Sequence, residues 1–171
     1  NVNSINVLYT YTAVGGSDCS STGNFCVGTY TGNGAATRDI TIGFQPDTVI
    51  VKRSTAVAAH FRTSSQPANE SLFLTTTARD TTGAYIRSFA STSFQVGATA
   101  DNVNAGLYYY VAFKDTAGSH AQGTYTGNGV DNRNITGLGF KPNFILTKNA
   151  TSATAANLNP QFNTTHHNGD S

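Results

Sequence analysis

GTYTGNG, at residues 28–34, recurs letter for letter at residues 123–129 of a chain of 171 residues. Two readings compete: a phosphate-cradling glycine loop used at two sites, or a structural unit used twice. A phosphate loop joins a strand to a helix whose amino terminus holds the anion. Here the glycines run on into AATRDITIG and VDNRNITGLG, which read as strand and turn, so no helix is offered to an anion. The repeated structural unit is the better reading. Asn33-Gly34 and Asn128-Gly129 tolerate positive φ, and TYTGNG is therefore expected to be a strand entering a hairpin.

Outward from that stretch the register continues. GTYTGNGAATRDITIGFQPDTVIVKRST runs beside GTYTGNGVDNRNITGLGFKPNFILTKNAT, with one residue inserted after Thr136. Tyr30, Asn33, Gly34, Arg38, Phe44 and Pro46 recur as Tyr125, Asn128, Gly129, Arg133, Phe140 and Pro142. HFRTS from His60 is echoed by QFNTT from Gln161, and LYTYTAV from Leu8 matches LYYYVAF from Leu107 at an offset of 99 residues. The unit is thus about one hundred residues long, and the chain reads as a window on an array. The expected organisation is a closing strand of a preceding repeat at 1–14 and a cysteine-containing linker at 15–27. A complete repeat at 28–114, a linker at 115–122 and the first half of a following repeat at 123–171 complete it.

The local patterns are β throughout. DTVIVKR, SLFLTT, AYIRSFA, SFQVG and GLYYYVAF are short runs rich in β-branched and aromatic residues, separated by Gly, Asn, Asp, Ser and Thr. The expected fold is all-β, an antiparallel, jelly-roll-like β-sandwich. Tyr9, Tyr11 and Ala13 match Tyr108, Tyr110 and Ala112, so these share one face of a period-two strand and that face should be the core. Thr10 and Thr12 on the other face become Tyr109 and Val111, a change that predicts cover by a neighbouring module at Tyr109 and Val111.

Composition excludes several functions. Only 11% of residues are charged and the net charge is +1, with no basic run, so the footprint of a nucleic-acid binder is missing. No apolar stretch is long enough for a membrane helix. Cys19 and Cys26, in the Gly/Ser-rich GSDCSSTGNFCVG, suit a disulfide better than a zinc or redox motif, which favours an oxidising location. Arg38 and Arg133 suit an anion contact less well than stacking on Tyr30 and Tyr125 or pairing with a carboxylate. His166, His167 and Asp170 read as surface residues, and DNVNAG from Asp101 as a turn more than a calcium loop. The single glutamate, Glu70, leaves no carboxylate pair for glycoside hydrolysis, and no nucleophile elbow occurs. No cofactor is called for.

YTGNG, Arg-x-Ile, GFQPDTVIVK and the closing GLYYYVAF together resemble an uncharacterised repeat module of phage tail or structural proteins and of large bacterial surface proteins. These are turn and core residues, so the resemblance implies a fold and carries no catalytic residue with it. The expectation is a non-catalytic structural repeat of an extracellular or virion-surface fibre, adhesive in some settings, whose partners are copies of itself or neighbouring repeats. In that reading Leu8, Tyr9, Tyr11 and Ala13 form the assembly strand. The alternative is a carbohydrate-binding module whose partner is a surface glycan, held by exposed tyrosine and amide side chains.

Overall fold

The structure, a computed structural model, describes residues 15–76, 79–98, 100–131 and 133–151, the backbone of 161–164, and the single residues Ile5 and Ala13. Among these, all regular structure is β. A six-stranded antiparallel sheet is built from β1 (Phe25–Thr31), β3 (Thr48–Arg53), β4 (His60–Thr63), β5 (Ser71–Phe73), β6 (Arg79–Asp80) and β9 (Leu107–Phe113), in the order β1-β9-β3-β4-β5-β6. A three-stranded sheet of β2 (Thr37–Thr41), β8 (Ser93–Gly97) and β7 (Ile86–Ala90) packs across it. β10 (Phe144–Thr147) and β11 (Gln161–Thr164) pair with each other, as β3 pairs with β4. β1 begins at Phe25, so the first strand starts inside the stretch 15–27 and takes in Cys26.

The core follows from the two-residue period. In the large sheet Cys26, Tyr30, Val49, Val51, Tyr108 and Ala112 are sealed, and Ile40, Phe94, Val96 and Ile86 close on them from the small sheet. Phe44 and Ile42 fill the crossover between β2 and β3. Burying each large apolar side chain stabilises the fold by roughly 1.5–3 kcal/mol. The register puts Tyr108 and Ala112 inside and leaves Tyr109 49% exposed. Tyr110, half-buried, packs on the same cluster. On the outer face, Tyr109 and Val111 line an open groove with Ile50, Lys52 and Tyr110.

TYTGNG is not the tip of a hairpin. β1 pairs with β9 and β2 with β8, so residues 32–36 carry the chain from one sheet to the other. Asn-Gly supplies the positive φ that a hairpin would use, 72° at Gly34, but a side chain from far along the sequence holds the turn open between sheets. That side chain is Asn102, described below.

The segment 115–122 is docked on the large sheet. The ring of His120 stacks on Phe113 at 5.0 Å while its Nδ1 lies 2.9 Å from Asp115 Oδ1. Gln122 donates to Ser64 Oγ at 2.9 Å and accepts from Ser65. Further on, Arg79 donates to the Ala150 carbonyl at 2.9 Å and Lys148 to that of Thr76.

Candidate functional site

In the complete module the repeated turn is a closed structure. The Tyr30 ring stacks on Tyr108 with centroids 4.9 Å apart, and its hydroxyl donates to the Asp101 carbonyl at 2.6 Å. Burial, with Asp101 second, raises the Tyr30 pKa far above the ordinary phenol value. Arg38 covers the outer face of that ring, its guanidinium carbon 5.6 Å from the centroid, and donates to the Thr31 carbonyl. This is the stacking that the sequence suggests. Asn33 donates its N–H to Asn102 Oδ1 at 3.0 Å, and Asn102 Nδ2 donates back to Asn33 Oδ1 at 2.6 Å and to the Ala35 carbonyl at 2.9 Å. The Gly34 N–H reaches the Asn102 carbonyl at 2.9 Å. The DNVNAG stretch is therefore a clasp on the turn, and its Asn102 amide and its backbone are engaged with the protein itself.

The second copy keeps the local geometry, and among the described residues no clasp closes on it. Arg133 lies 5.6 Å from the Tyr125 centroid and donates to the Thr126 carbonyl, as in the first copy. Gly129 has φ 70°, and Asn128 Oδ1 accepts from the Val130 N–H at 3.1 Å, as Asn33 Oδ1 does from Ala35. The packing differs. Tyr30, Ile40 and Val49 are 7%, 6% and 0% exposed, and their counterparts Tyr125, Ile135 and Ile145 are 54%, 44% and 40% exposed. Phe44 and Pro46 are buried, whereas Phe140 and Pro142 are half-buried. In the complete module β9 lies between β1 and β3. In the second copy Gly123–Thr126 forms no strand, and β10 pairs only with β11 among the described strands. Of the assembly-strand residues, Leu8, Tyr9 and Tyr11 lie outside the described residues, and Ala13 is exposed where its counterpart Ala112 is sealed.

A second polar constellation lies inside the complete module, and the sequence gives no hint of it. His60 Nδ1 is 2.8 Å from Asp101 Oδ1, both residues being at most 1% exposed. The His60 ring is boxed by Phe73 and Tyr85 at 4.9 and 4.1 Å. Burial raises the pKa of Asp101, the hydrogen bond and charge of His60 oppose this, and Asp80 adds to the rise. Nearby on the same sheet face, Arg62 donates to the carbonyls of Pro67 and Gln66 at 2.7 and 3.0 Å and to that of Glu70, fixing the 64–70 turn. The dyad has the chemistry of a general base and its orienting carboxylate. It has no open path to a substrate, since His60 and Asp101 are sealed. Glu70 pairs with Arg79 at 3.6 Å on the surface. Among the described residues no cluster of three or more His, Cys, Asp and Glu is placed to hold a metal ion. His166, His167 and Asp170 lie outside the described residues.

Cys19 and Cys26 are joined, with an S–S distance of 2.03 Å. The loop they close lies on Gly43, where an added Cβ would stand 2.7 Å from the Cys19 carbonyl oxygen. Cys26 reaches the core and Cys19 the surface, so the bridge pins the entry of the module to the crossover before β3.

The arrangement defines an all-β sandwich, followed by a stretch whose sequence repeats that of its first strands. Residues 20–123 match the model of a Domain of unknown function (DUF7483), more than half of the chain, and the protein belongs to that family. The match begins at Ser20, inside the disulfide loop, and ends at Gly123, where the second copy begins. No curated protein and no solved structure matches the chain.

Proposed function

We propose that the chain is a non-catalytic structural repeat of an extracellular or virion-surface fibre, assembled head to tail by β-strand addition. One observation carries this reading: positions that are core in the complete module stand exposed in the second copy, at Tyr125, Ile135 and Ile145. Two of them, Tyr125 and Ile145, correspond to Tyr30 and Val49, which pair with Tyr108 and Ala112 of β9, and the β9 sequence recurs at 8–14. A face that β9 covers in the complete module and a second β9-like sequence on the same chain are complementary. Two such surfaces on opposite parts of one chain make a heterologous contact, which propagates. The disulfide fits an oxidising setting, and the resemblance to repeats of phage tail and bacterial surface proteins points the same way. Removing residues 1–14 is the test: sedimentation velocity should show concentration-dependent growth for the full chain and a monomer for the shortened one. A shortened chain that assembles as before would end the proposal.

Glycan binding is a second reading favoured by one feature, the exposed Tyr109 beside Lys52 in the open groove on the outer face of β3 and β9. Aromatic faces of this kind stack on sugars. Titration of the chain with a panel of oligosaccharides, followed by tyrosine fluorescence in the wild type and Tyr109→Ala, decides it.

A further inference from the structure

We infer that the added segment is recognised at two points of the second copy: a seat for a tyrosine at Gly123, and an amide clasp on the Asn128 turn made by Asn1-Val2-Asn3 of a neighbouring copy. This rests on the strand-addition reading and names its chemistry. In the complete module two glycines are glycines because β9 and its lead-in lie on them. A Cβ at Gly28 would stand 2.5 Å from the Tyr110 hydroxyl, and one at Gly32 would stand 2.0 Å from the Val103 carbonyl oxygen. Among the described residues, nothing lies within 4 Å of a Cβ added at their counterparts Gly123 and Gly127, and neither has a positive φ. No described part of this chain requires glycine at either position. A strand laid there would.

The donor carries more than a strand. NVN at residues 1–3 repeats Asn102-Val103-Asn104, and it leads into Leu8-Tyr9 as that triplet leads into Leu107-Tyr108. Four residues separate triplet and strand in the donor and two in the module, a surplus that a loop absorbs. The correspondence then assigns every contact. Tyr9 takes the place of Tyr108 against Tyr125, and Tyr11 takes that of Tyr110 over Gly123. The Val2 carbonyl takes that of Val103 at Gly127, and Asn1 takes that of Asn102 on Asn128. The clasp demands an amide on both sides, because each asparagine is donor and acceptor at once. An apolar strand alone would bind any β-edge, whereas the paired amides select this turn.

The experiment uses the full chain, with self-association measured by sedimentation velocity and the fold checked by thermal melting. Gly123→Val should leave the melt unchanged and weaken association at least about tenfold, because no described residue of the free chain crowds the side chain and the assembled seat has no room for it. Asn128→Ala, and Asn1→Ala with Asn3→Ala, should each weaken it by roughly tenfold. Combined they should cost little more than either alone, since both remove one contact. If the chain without residues 1–14 is monomeric while the asparagine variants associate like the wild type, the clasp is wrong and strand addition stands. If the full chain stays monomeric and a synthetic peptide of residues 1–14 fails to bind it, the underlying reading falls and takes the clasp with it.

Discussion

Asp101 Oδ1 sits 2.8 Å from Nδ1 of His60, and 41 positions of sequence separate these two sealed residues. The contact ties the loop before β9 to the strand β4, on the far side of β3. The Asp101 carboxyl lies above its ordinary range, burial being the largest cause, so the folded protein holds its proton more tightly than the unfolded chain does. Between the unfolded value, about 3.9, and the raised folded value, rising pH therefore removes stability. Asp101→Asn keeps the shape and an acceptor and cannot ionise, so its stability should lack that fall. Asp101→Ala leaves the buried His60 unanswered and should cost about 1–3 kcal/mol. Urea midpoints against pH check both, and parallel curves for the wild type and Asp101→Asn would refute the assignment.

Gly28 and Gly123 hold the same place in the two copies, yet they should answer differently to the same substitution. Gly28→Ala pushes a methyl against the Tyr110 ring, which Phe94 and Tyr30 already flank at 5.3 and 6.4 Å. Overpacking there should cost roughly 1–3 kcal/mol. Gly123→Ala meets open space and should be neutral in the dilute monomer. Thermal melts of the two variants at micromolar concentration read the difference.

Legibility in the sequence follows the range of the interaction. The all-β sandwich is readable because Tyr108, Tyr110 and Ala112 alternate along one strand and recur in the match at Tyr9, Tyr11 and Ala13. The stacking of Arg38 on Tyr30 and the closure of Cys19 on Cys26 are readable because each spans fewer than ten residues. The hairpin at Asn33-Gly34 is misread because the deciding partner, Asn102, is 69 residues away and nothing in DNVNAG marks it as a clasp. The dyad of His60 and Asp101 is invisible for the same reason. Exposure of the second copy is a property of which strand is present, and local patterning is silent about that.

Tyr110 and Tyr109 are neighbours with opposite roles. Truncating Tyr110 to Ala removes a ring packed on Phe94 and a hydroxyl 3.6 Å from Cys26 Sγ, and it should cost on the order of 3 kcal/mol. Tyr109→Ala, on a half-exposed position, should stay within about 0.5 kcal/mol. Denaturant midpoints that ranked the two the other way round would put the strand out of register by one residue.

Reduction of the disulfide, or Cys19→Ser, opens a loop bridging a sequence separation of 7 that lies against Gly43. The chain-entropy estimate for so short a loop is about 2 kcal/mol, and the sandwich itself should survive. Proteolysis should therefore cut within residues 17–24 first, while the strands from β1 onward stay intact. Simultaneous loss of the whole module on reduction would show that the bridge holds the core and not the entry.

The last prediction concerns the edge of β10. Its counterpart β3 is bonded on one side to β4 and on the other to β9, so every second amide points to each neighbour. β10 is paired with β11, and the amides of its other edge have no β9 to meet within the described residues. In dilute protein the amides of Ile145, Leu146 and Thr147 that face away from β11 should exchange faster than those that face it. Raising the concentration until the chain assembles should slow the fast set alone, because strand addition from residues 8–14 of a neighbour supplies the missing carbonyls. Tyr125, Ile135 and Ile145 should become shielded from surface-labelling reagents in the same concentration range. Hydrogen exchange read by NMR on Ile145, Leu146 and Thr147 makes the measurement. Assembly that leaves the fast amides fast would place the contact elsewhere, on the open groove at Tyr109 or on the docked 115–122 segment, and would remove strand addition as the means by which copies join.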